Sequence, residues 1–385
     1  MPEIAKRLSM FTESVIREMT RISNRYGAIN LAQGFPDFDP PKALTDALKT
    51  KSDEGHHQYA VTWGAPSFRK ALCEKQKHFM GLDLDPDENV VVTCGSTEAM
   101  MTAIMTAVNP GEKVIVFSPY YENYGADTIL TGCEPIYVPL IPPDFRFDPD
   151  ELKRAFEKGA KALILCNPGN PTGRVFTLAE LTVIADLAKA YDAFIITDEV
   201  YEHIVYPPAK HVYMASLPDM FERTISVSSL SKTYSITGWR LGYVIAPSEI
   251  ISGAKKVHDF LTVGAANVLQ EAAVTALEFP LSYYDDFMES YLKKRDLFLG
   301  YLDRAGLVYT KPEGAYYVLC DISGFGFESD TDFAKWLAKE IGVAGVPGSS
   351  FFREPVNHLI RFHFAKKEET LIAAGERLMK LKNKG

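Results

Sequence analysis

The segment Ser229–Tyr243, SLSKTYSITGWRLGY, places one lysine among hydroxyl side chains and an arginine eight residues later. No acidic residue lies between Lys232 and Arg240. A lysine in a polar stretch is ordinarily a solvated surface residue. A lysine that loses its proton easily is instead a nucleophile and a base, and hydroxyls beside an arginine suit a bound phosphate. The rest of the chain decides between these interpretations.

A Gly-Ser-Thr turn follows the apolar run VVVTC (90–94) and leads into the helical pattern AMMTAIMTAV. Ser96 and Thr97 supply hydroxyls, and the beginning of a helix supplies free N–H groups and the positive end of its dipole. These features suit an anion, although the same turn could simply cap the helix. The chain contains neither GxGxxG nor GxxxxGK[ST], so neither a Rossmann dinucleotide site nor a Walker loop is indicated.

Two more apolar runs end in residues that suit directional binding. KALILC leads into Asn167–Gly173, NPGNPTG, whose prolines and glycines fix a loop and aim the amide of Asn170. AFIIT leads into Asp198, with Tyr201 close behind. A carboxylate after so apolar a strand needs a cation or a donor, unless it caps a following helix. Ligands collect beyond the carboxyl ends of strands in open α/β sheets, so we expect these groups to meet.

Continuous apolar runs alternate with amphipathic segments from about residue 90 to 245. Such runs are typical of strands that are buried on both faces. The alternation predicts an α/β domain with a mostly parallel sheet flanked by helices. The predicted helices cover residues 98–108, 150–158 and 178–191.

The pattern of apolar and charged residues changes after Pro280, where a predicted long charged helix precedes the predicted short strands AYYVLCDI, VAGVPG and LIRFHF. That pattern predicts a smaller α+β domain. The N-terminal forty residues look like an arm or linker, not a separate domain. We therefore predict an N-terminal arm with part of the small domain over 1–45, a large domain over 46–278, and a small C-terminal domain over 279–385.

The composition is that of an ordinary globular chain of 385 residues, long enough for about two domains. The net charge of −9 does not favour a nucleic-acid surface. The five cysteines form no CxxC pair and no HExxH occurs, so no metal site is predicted. No signal peptide and no run near ~20 apolar residues is found. We expect a cytoplasmic protein without a membrane partner.

The segment with Lys232 follows a fourth apolar run, TISVS (224–228). A single ligand would use all four strand ends: a pyridine ring that carries a phosphate, an aldehyde and a phenolic oxygen. The phosphate needs hydroxyls, helix N–H groups and an arginine. The ring nitrogen needs a carboxylate, and the aldehyde needs a lysine amine. This ligand is pyridoxal 5′-phosphate.

The chain resembles the fold-type I, class I aminotransferases over essentially its whole length. Within that family it is most similar to the kynurenine, glutamine–phenylpyruvate and methionine/aromatic transaminase group. The matching motifs occur in the family's order: INLAQGFPDF, HQYAVTWGAP, NPGNPTG, TDEVYEHIVY, SLSKTYSITGWRLGY, PEGAYYVLCDIS and IRFHFAK. The resemblance implies ping-pong transfer of an amino group between an L-amino acid and a 2-oxo acid.

The resemblance also implies the roles of the residues around the cofactor ring. Lys232 would form the Schiff base and then move the proton between the substrate Cα and the cofactor. Asp198 would pair with the ring nitrogen. Tyr201 and Asn170 would bond the phenolic oxygen, and the ring of Tyr121 would stack on the cofactor.

The phosphate and the substrate would be held by further residues that the resemblance implies. Ser96, Thr97, Ser229 and Arg240 would bind the phosphate, and Tyr59 would reach it from the neighbouring subunit. An obligate homodimer with shared sites follows.

The substrate α-carboxylate would bind Arg361 through a bidentate fork, with Asn170 beside it, and Gly34 would leave room for it.

Other functions on the same fold stay open. A carbon–sulfur β-lyase or a decarboxylase needs the same lysine and aspartate, although Arg361 and NPGNPTG favour transamination. A lyase would release pyruvate and ammonia, whereas a transaminase would leave the pyridoxamine form with amino acid alone. A non-catalytic regulator would need a DNA-binding segment, for which this chain has no room.

The predicted substrate is a neutral or aromatic amino acid, or glutamine or methionine. Aspartate-preferring relatives hold the distal carboxylate with a cation, but HDFLTVGAAN has none after His258. Another group places a lysine where this chain has Thr97. Without a charge-assisted pair a dicarboxylate loses about 2–5 kcal/mol. Aromatic residues could line the pocket: Phe35, Tyr59, Trp63, Tyr120 and Tyr121.

Overall fold

The α-helices of this computed structural model, which describes residues 2–383, cover both faces of a large sheet and pack against a smaller sheet. In chain order they are α1 (Val15–Tyr26), α2 (Lys42–Asp53), α3 (Pro66–Met80), α4 (Gly95–Ala107), α5 (Asn123–Leu130), α6 (Pro149–Glu157), α7 (Leu178–Ala190), α8 (Ser248–Thr262), α9 (Asn267–Leu277), α10 (Leu281–Ala305), α11 (Asp330–Trp336) and α12 (Glu368–Leu378). In the described part of the chain, no helix is long and apolar enough to cross a bilayer.

Within residues 2–383 the strands form three sheets. In chain order they are β1 (Ile29–Asn30), β2 (Val90–Thr93), β3 (Lys113–Ser118), β4 (Glu134–Pro139), β5 (Ala160–Cys166), β6 (Phe194–Asp198), β7 (Thr224–Ser229), β8 (Gly242–Ile245), β9 (Val308–Tyr309), β10 (Tyr317–Asp321), β11 (Val343–Ala344), β12 (Val346–Pro347) and β13 (Leu359–His363).

The large sheet has the order β2-β8-β7-β6-β5-β3-β4. Only β8 runs antiparallel to its two neighbours, and the other pairs are parallel. The central strands β5, β6 and β7 are buried over most of their length, as expected of a sheet with helices on both faces, although β7 (TISVSS) carries four hydroxyl side chains. The predicted α/β class with a mostly parallel mixed sheet is confirmed.

Two details of the large sheet differ from the prediction. The strand β4 was missed, because its prolines at 135 and 139 argue against a strand. It pairs only with β3 at the sheet edge, where a missing N–H does least harm. The helix α4 begins at Gly95, three residues earlier than predicted, so the Gly-Ser-Thr segment is its first turn.

The smaller sheet has the order β12-β13-β10-β9 and is antiparallel. The N-terminal segment joins this part of the molecule, because β1 pairs with β11. It is more than an arm or linker: α1 packs Ile16 and Met19 into the main core. Their helical spacing, together with Ile22, was a visible signal of this helix.

Candidate active site

The carboxyl ends of β5, β6 and β7 lie at one edge of the large sheet. Cys166 of β5 pairs with Asp198 of β6, which pairs with Val227 of β7. The loop after β5 carries Asn170, and the segment after β7 carries Lys232. Parallel strands in this register therefore bring three of the predicted residues to one place.

Lys232 lies in a partly buried position at this edge, where its Nζ donates a 3.3 Å hydrogen bond to the carbonyl of Gly34. Burial lowers the pKa of this amine to about 8. Asp198 opposes that change, whereas the charges of Arg240 and Arg361 add to it. An amine with this pKa holds a substantial neutral fraction near neutral pH, as a nucleophile and base requires.

Asp198 is buried at the end of β6 and receives two donors. The hydroxyl of Tyr124 donates to Oδ2 at 2.6 Å, and the backbone N–H of Val200 donates to Oδ1 at 3.3 Å. Burial nevertheless raises the pKa of Asp198, so a further cation would stabilise its carboxylate. The residue does not cap a helix, since turns follow it.

Arg361 of β13 is fully buried, and its hydrogen bonds go to neutral oxygens. Nη1 donates to Oδ1 of Asn170 and Nη2 to the carbonyl of Ala32, both at 2.8 Å. Its Nε has no partner in the described residues, and the rings of Tyr317 and Phe351 lie 4.3 and 4.5 Å from the guanidinium. Burial lowers the pKa of Arg361. A substrate carboxylate would supply the anion that this buried charge lacks.

Gly34 lies where Lys232 and the small sheet meet. Its carbonyl accepts from Lys232 and, at 2.9 Å, from the hydroxyl of Tyr316. A Cβ at this position would collide with the hydroxyl of Tyr317. Only glycine fits here, because the hydroxyl of Tyr317 occupies the space that a side chain would need.

The beginning of α4 forms a compact cradle with Arg240. Gly95 has φ +81°, and a Cβ there would collide with the Arg240 guanidinium. A Cβ on Gly242 would collide with the backbone of Gly95 and the N–H of Ser96. Arg240 itself adopts φ +57° and donates to the carbonyl of Thr237 at 3.0 Å. A guanidinium at the positive end of a helix is repelled unless an anion lies between them, so the cradle fits a phosphate.

The other predicted residues take different positions. The Oγ of Ser229 accepts from a backbone N–H two residues later, at 3.3 Å. Tyr121 meets the ring of Tyr124 edge to face at 5.7 Å. Thr97 is exposed, and Tyr59 is 84 % exposed on the surface of the single chain.

Three tyrosines of the site were not predicted from the sequence: Tyr124, Tyr316 and Tyr317. Tyr124 lies in the first turn of α5, three residues after Tyr121, which precedes the helix, so helical spacing gave no signal for it. Tyr316 and Tyr317 stand in the motif PEGAYYVLCDIS, and nothing in their spacing distinguished them from core residues.

These groups fit three parts of pyridoxal 5′-phosphate: its aldehyde, its ring nitrogen and its phosphate. Lys232 offers an amine of lowered pKa, Asp198 a carboxylate that lacks a cation, and the α4 cradle an anion site. The fold and the site together define a pyridoxal-phosphate-dependent enzyme of fold type I.

Comparison with known proteins agrees with this class. The family model for "Aminotransferase class I and II" matches residues 26–378. The chain is 36 % identical to the methionine aminotransferase of Escherichia coli and 34 % identical to human kynurenine–oxoglutarate transaminase 1, over 97 % and 98 % of both chains. The solved structure of N-succinyldiaminopimelate aminotransferase from Mycobacterium tuberculosis superimposes with a TM-score of 0.95 and 35 % identity, covering 98 % of this chain and 100 % of that one.

The chain belongs to the class I and II aminotransferases. It is an aminotransferase that depends on pyridoxal 5′-phosphate, as predicted. The similar proteins differ in the amino acid that their names specify, so the family alone does not fix the substrate.

Proposed function

We propose that this enzyme transfers the amino group of a neutral L-amino acid, aromatic or methionine or glutamine, to a 2-oxo acid. The observation that carries this proposal is the buried guanidinium of Arg361, which lacks an anion, beside the amine of Lys232. An α-carboxylate bound to the first would present its Cα to the second.

The residues of the site divide the chemistry between them. The bound cofactor supplies an electron sink for the carbanion at the substrate Cα. Lys232 would hold the cofactor aldehyde and would then carry the Cα proton, and its lowered pKa makes the amine a competent base. Asp198 holds the ring nitrogen in its charged form, and the hydroxyl of Tyr124 fixes that carboxylate. Asn170 uses its oxygen to orient Arg361, so its amide nitrogen is the group that can donate to the cofactor.

The preference for a neutral donor rests on the end of α8. His258 could offer a cation to a distal carboxylate, but both of its ring nitrogens are engaged. Nδ1 lies 2.6 Å from Oε1 of Glu98, and Nε2 lies 2.8 Å from the carbonyl of Thr62. The exposed residue that follows on this helix is the apolar Phe260. A dicarboxylic amino acid would therefore gain no charge-assisted hydrogen bond here. It lacks the ~2–5 kcal/mol by which such a bond would favour it over a neutral amino acid.

A homodimer is part of the proposal, and it rests on an apolar patch of the single chain. The patch comprises two adjacent segments, joined by a 3.1 Å hydrogen bond from Asn267 to the carbonyl of Gln58. Its members are Tyr59, Val61, Phe260, Leu261 and Val263, of which Phe260 is 92 % exposed. So much exposed apolar surface is typical of an interface. A second copy seated there would also cover the phosphate cradle, where Thr97 and Arg240 are exposed.

The test is a half-reaction of the purified holoenzyme with single amino acids. We expect phenylalanine, methionine or glutamine to convert the visible absorbance of the bound cofactor to that of its amine form, with kcat/KM above that for aspartate. Release of pyruvate and ammonia from a cysteine conjugate, with no amine form, would show a β-lyase instead. A kcat/KM for aspartate above that for phenylalanine would refute the neutral-donor proposal.

A further inference from the structure

Tyr317 connects the small sheet to the large one inside the site. It is the first residue of β10, whereas Tyr201 follows β6 of the large sheet. Their hydroxyl oxygens are 2.9 Å apart, and both residues are buried. The two rings are almost perpendicular, with centres 5.7 Å apart, so the contact is made through the hydroxyls.

The position of the Tyr317 hydroxyl is fixed from several sides. Arg361 lies on the neighbouring strand β13, and its guanidinium is 4.3 Å from the centre of the Tyr317 ring. The missing side chain of Gly34 leaves the space that the hydroxyl occupies. The phenol therefore touches both the group that would bind the substrate carboxylate and the group that would bind the cofactor.

Either phenol could donate across this 2.9 Å contact, but the Arg361 guanidinium lies 4.3 Å from the Tyr317 ring, and a nearby cation makes a phenol a better donor. The charge of Arg361 works against burial and limits the rise in the pKa of Tyr317, whereas the pKa of Tyr201 is raised much further by burial and by its tyrosine neighbours. The more acidic phenol is the better donor. Tyr317 then donates to the oxygen of Tyr201, and the proton of Tyr201 is left for another acceptor.

We propose that Tyr317 is a positioning residue, which donates to Tyr201 and thereby aims the proton of Tyr201 at the phenolic oxygen of the cofactor. This inference rests on the role of Tyr201 in the proposed function. A phenol that accepts a hydrogen bond becomes a stronger donor, because consecutive hydrogen bonds polarise one another. Tyr201 then stabilises negative charge on the phenolic oxygen, which weakens that oxygen's hold on the proton of the lysine–cofactor linkage.

The test compares the pH titration of the visible absorbance band in wild-type and Tyr317→Phe holoenzyme. The substitution removes one hydroxyl and keeps the ring over Arg361. We expect the titration midpoint to rise by about 0.3 to 1 pH unit, as expected for the partial loss of one hydrogen bond. The other titratable groups around the pair include Tyr316, which immediately precedes β10, Cys166 of β5, Tyr121, Lys232 and Arg361, and they are unchanged.

Two controls make the result specific. Tyr291→Phe removes a buried hydroxyl that has no hydrogen-bond partner in the described residues, from a ring stacked 5.8 Å from Tyr316. Its midpoint should equal that of wild type. In a Tyr201→Phe background the Tyr317→Phe change should cause no further shift, because the acceptor is gone.

An unchanged midpoint in Tyr317→Phe, or an equal shift with and without Tyr201, would overturn the inference. Failure of the proposed function gives a different result. In that case wild-type protein with added pyridoxal 5′-phosphate forms no visible band, or Lys232→Ala forms the same band.

Discussion

Lys232 owes its low pKa to burial and to its cationic neighbours, and that fact predicts a pH profile. The neutral amine is the form that attacks an aldehyde, and its fraction rises tenfold per pH unit until the pKa of about 8. We therefore expect the rate at which the apoenzyme takes up pyridoxal 5′-phosphate to rise up to about pH 8 and then level off. Stopped-flow absorbance measures it. A midpoint near 10.4, the ordinary value for lysine, would contradict the prediction.

A substitution of Arg361 tests the part of the site that would bind the substrate carboxylate. Arg361→Lys keeps the charge but loses the fork, and it leaves Oδ1 of Asn170 without its 2.8 Å donor. We expect kcat/KM for the amino-acid half-reaction to fall about 100-fold or more, consistent with about 2–5 kcal/mol for a buried charged pair. Affinity for pyridoxal 5′-phosphate, measured by titration of the apoenzyme, should change less than threefold. An equal loss in both quantities would mean that Arg361 supports the fold and not the substrate.

The role of the first turn of α4 in phosphate binding can be tested by adding a single methyl group. Gly95→Ala places a Cβ against the Arg240 guanidinium, at φ +81°. We expect affinity for pyridoxal 5′-phosphate to fall about 10- to 100-fold, since a displaced arginine loses a charge-assisted bond. Affinity for pyridoxal, which has no phosphate, should barely change.

Gly111→Ala is the matched control for this change. Gly111 has φ +85°, but a Cβ there meets nothing within 4 Å. The backbone strain should therefore lower the free energy of unfolding of both variants by about 1–2 kcal/mol. Affinity for the cofactor should fall only in Gly95→Ala. Similar affinities for the phosphorylated cofactor in both variants would assign the effect to strain.

The sequence predicts some of the contacts of Asp198 but not all of them. Its need for a donor followed from an acid after an apolar strand, and strand order alone placed it near Asn170 and Lys232. Its donor Tyr124 lies 74 residues earlier, on α5. That contact depends on β3 lying beside β5, an order that apolar periodicity does not reveal. Arg361 was placed only through resemblance, since it lies in a strand of the other sheet.

The molecule as a whole puts its site between two sheets, and each sheet supplies part of it. Asp198 and Lys232 belong to the large sheet and its loops, whereas Arg361 and Tyr317 belong to the small one. The bonds from Arg361 to Asn170 and from Tyr317 to Tyr201 join the halves. We therefore expect binding of a substrate carboxylate to Arg361 to affect the residues that would hold the cofactor.

The apolar patch around Phe260 makes a prediction about assembly. Phe260→Asp puts a charge at the most exposed member of the patch, and burying an unpaired carboxylate in an apolar interface costs several kcal/mol. We expect the dissociation constant of the dimer to rise about 100-fold or more, measured by sedimentation equilibrium. Val308→Asp is the control, since Val308 is 70 % exposed on β9 and lies outside the patch. Because Tyr59 shares the patch, dissociation should also lower affinity for pyridoxal 5′-phosphate, and a Phe260→Asp protein that sediments as wild type would place the interface elsewhere.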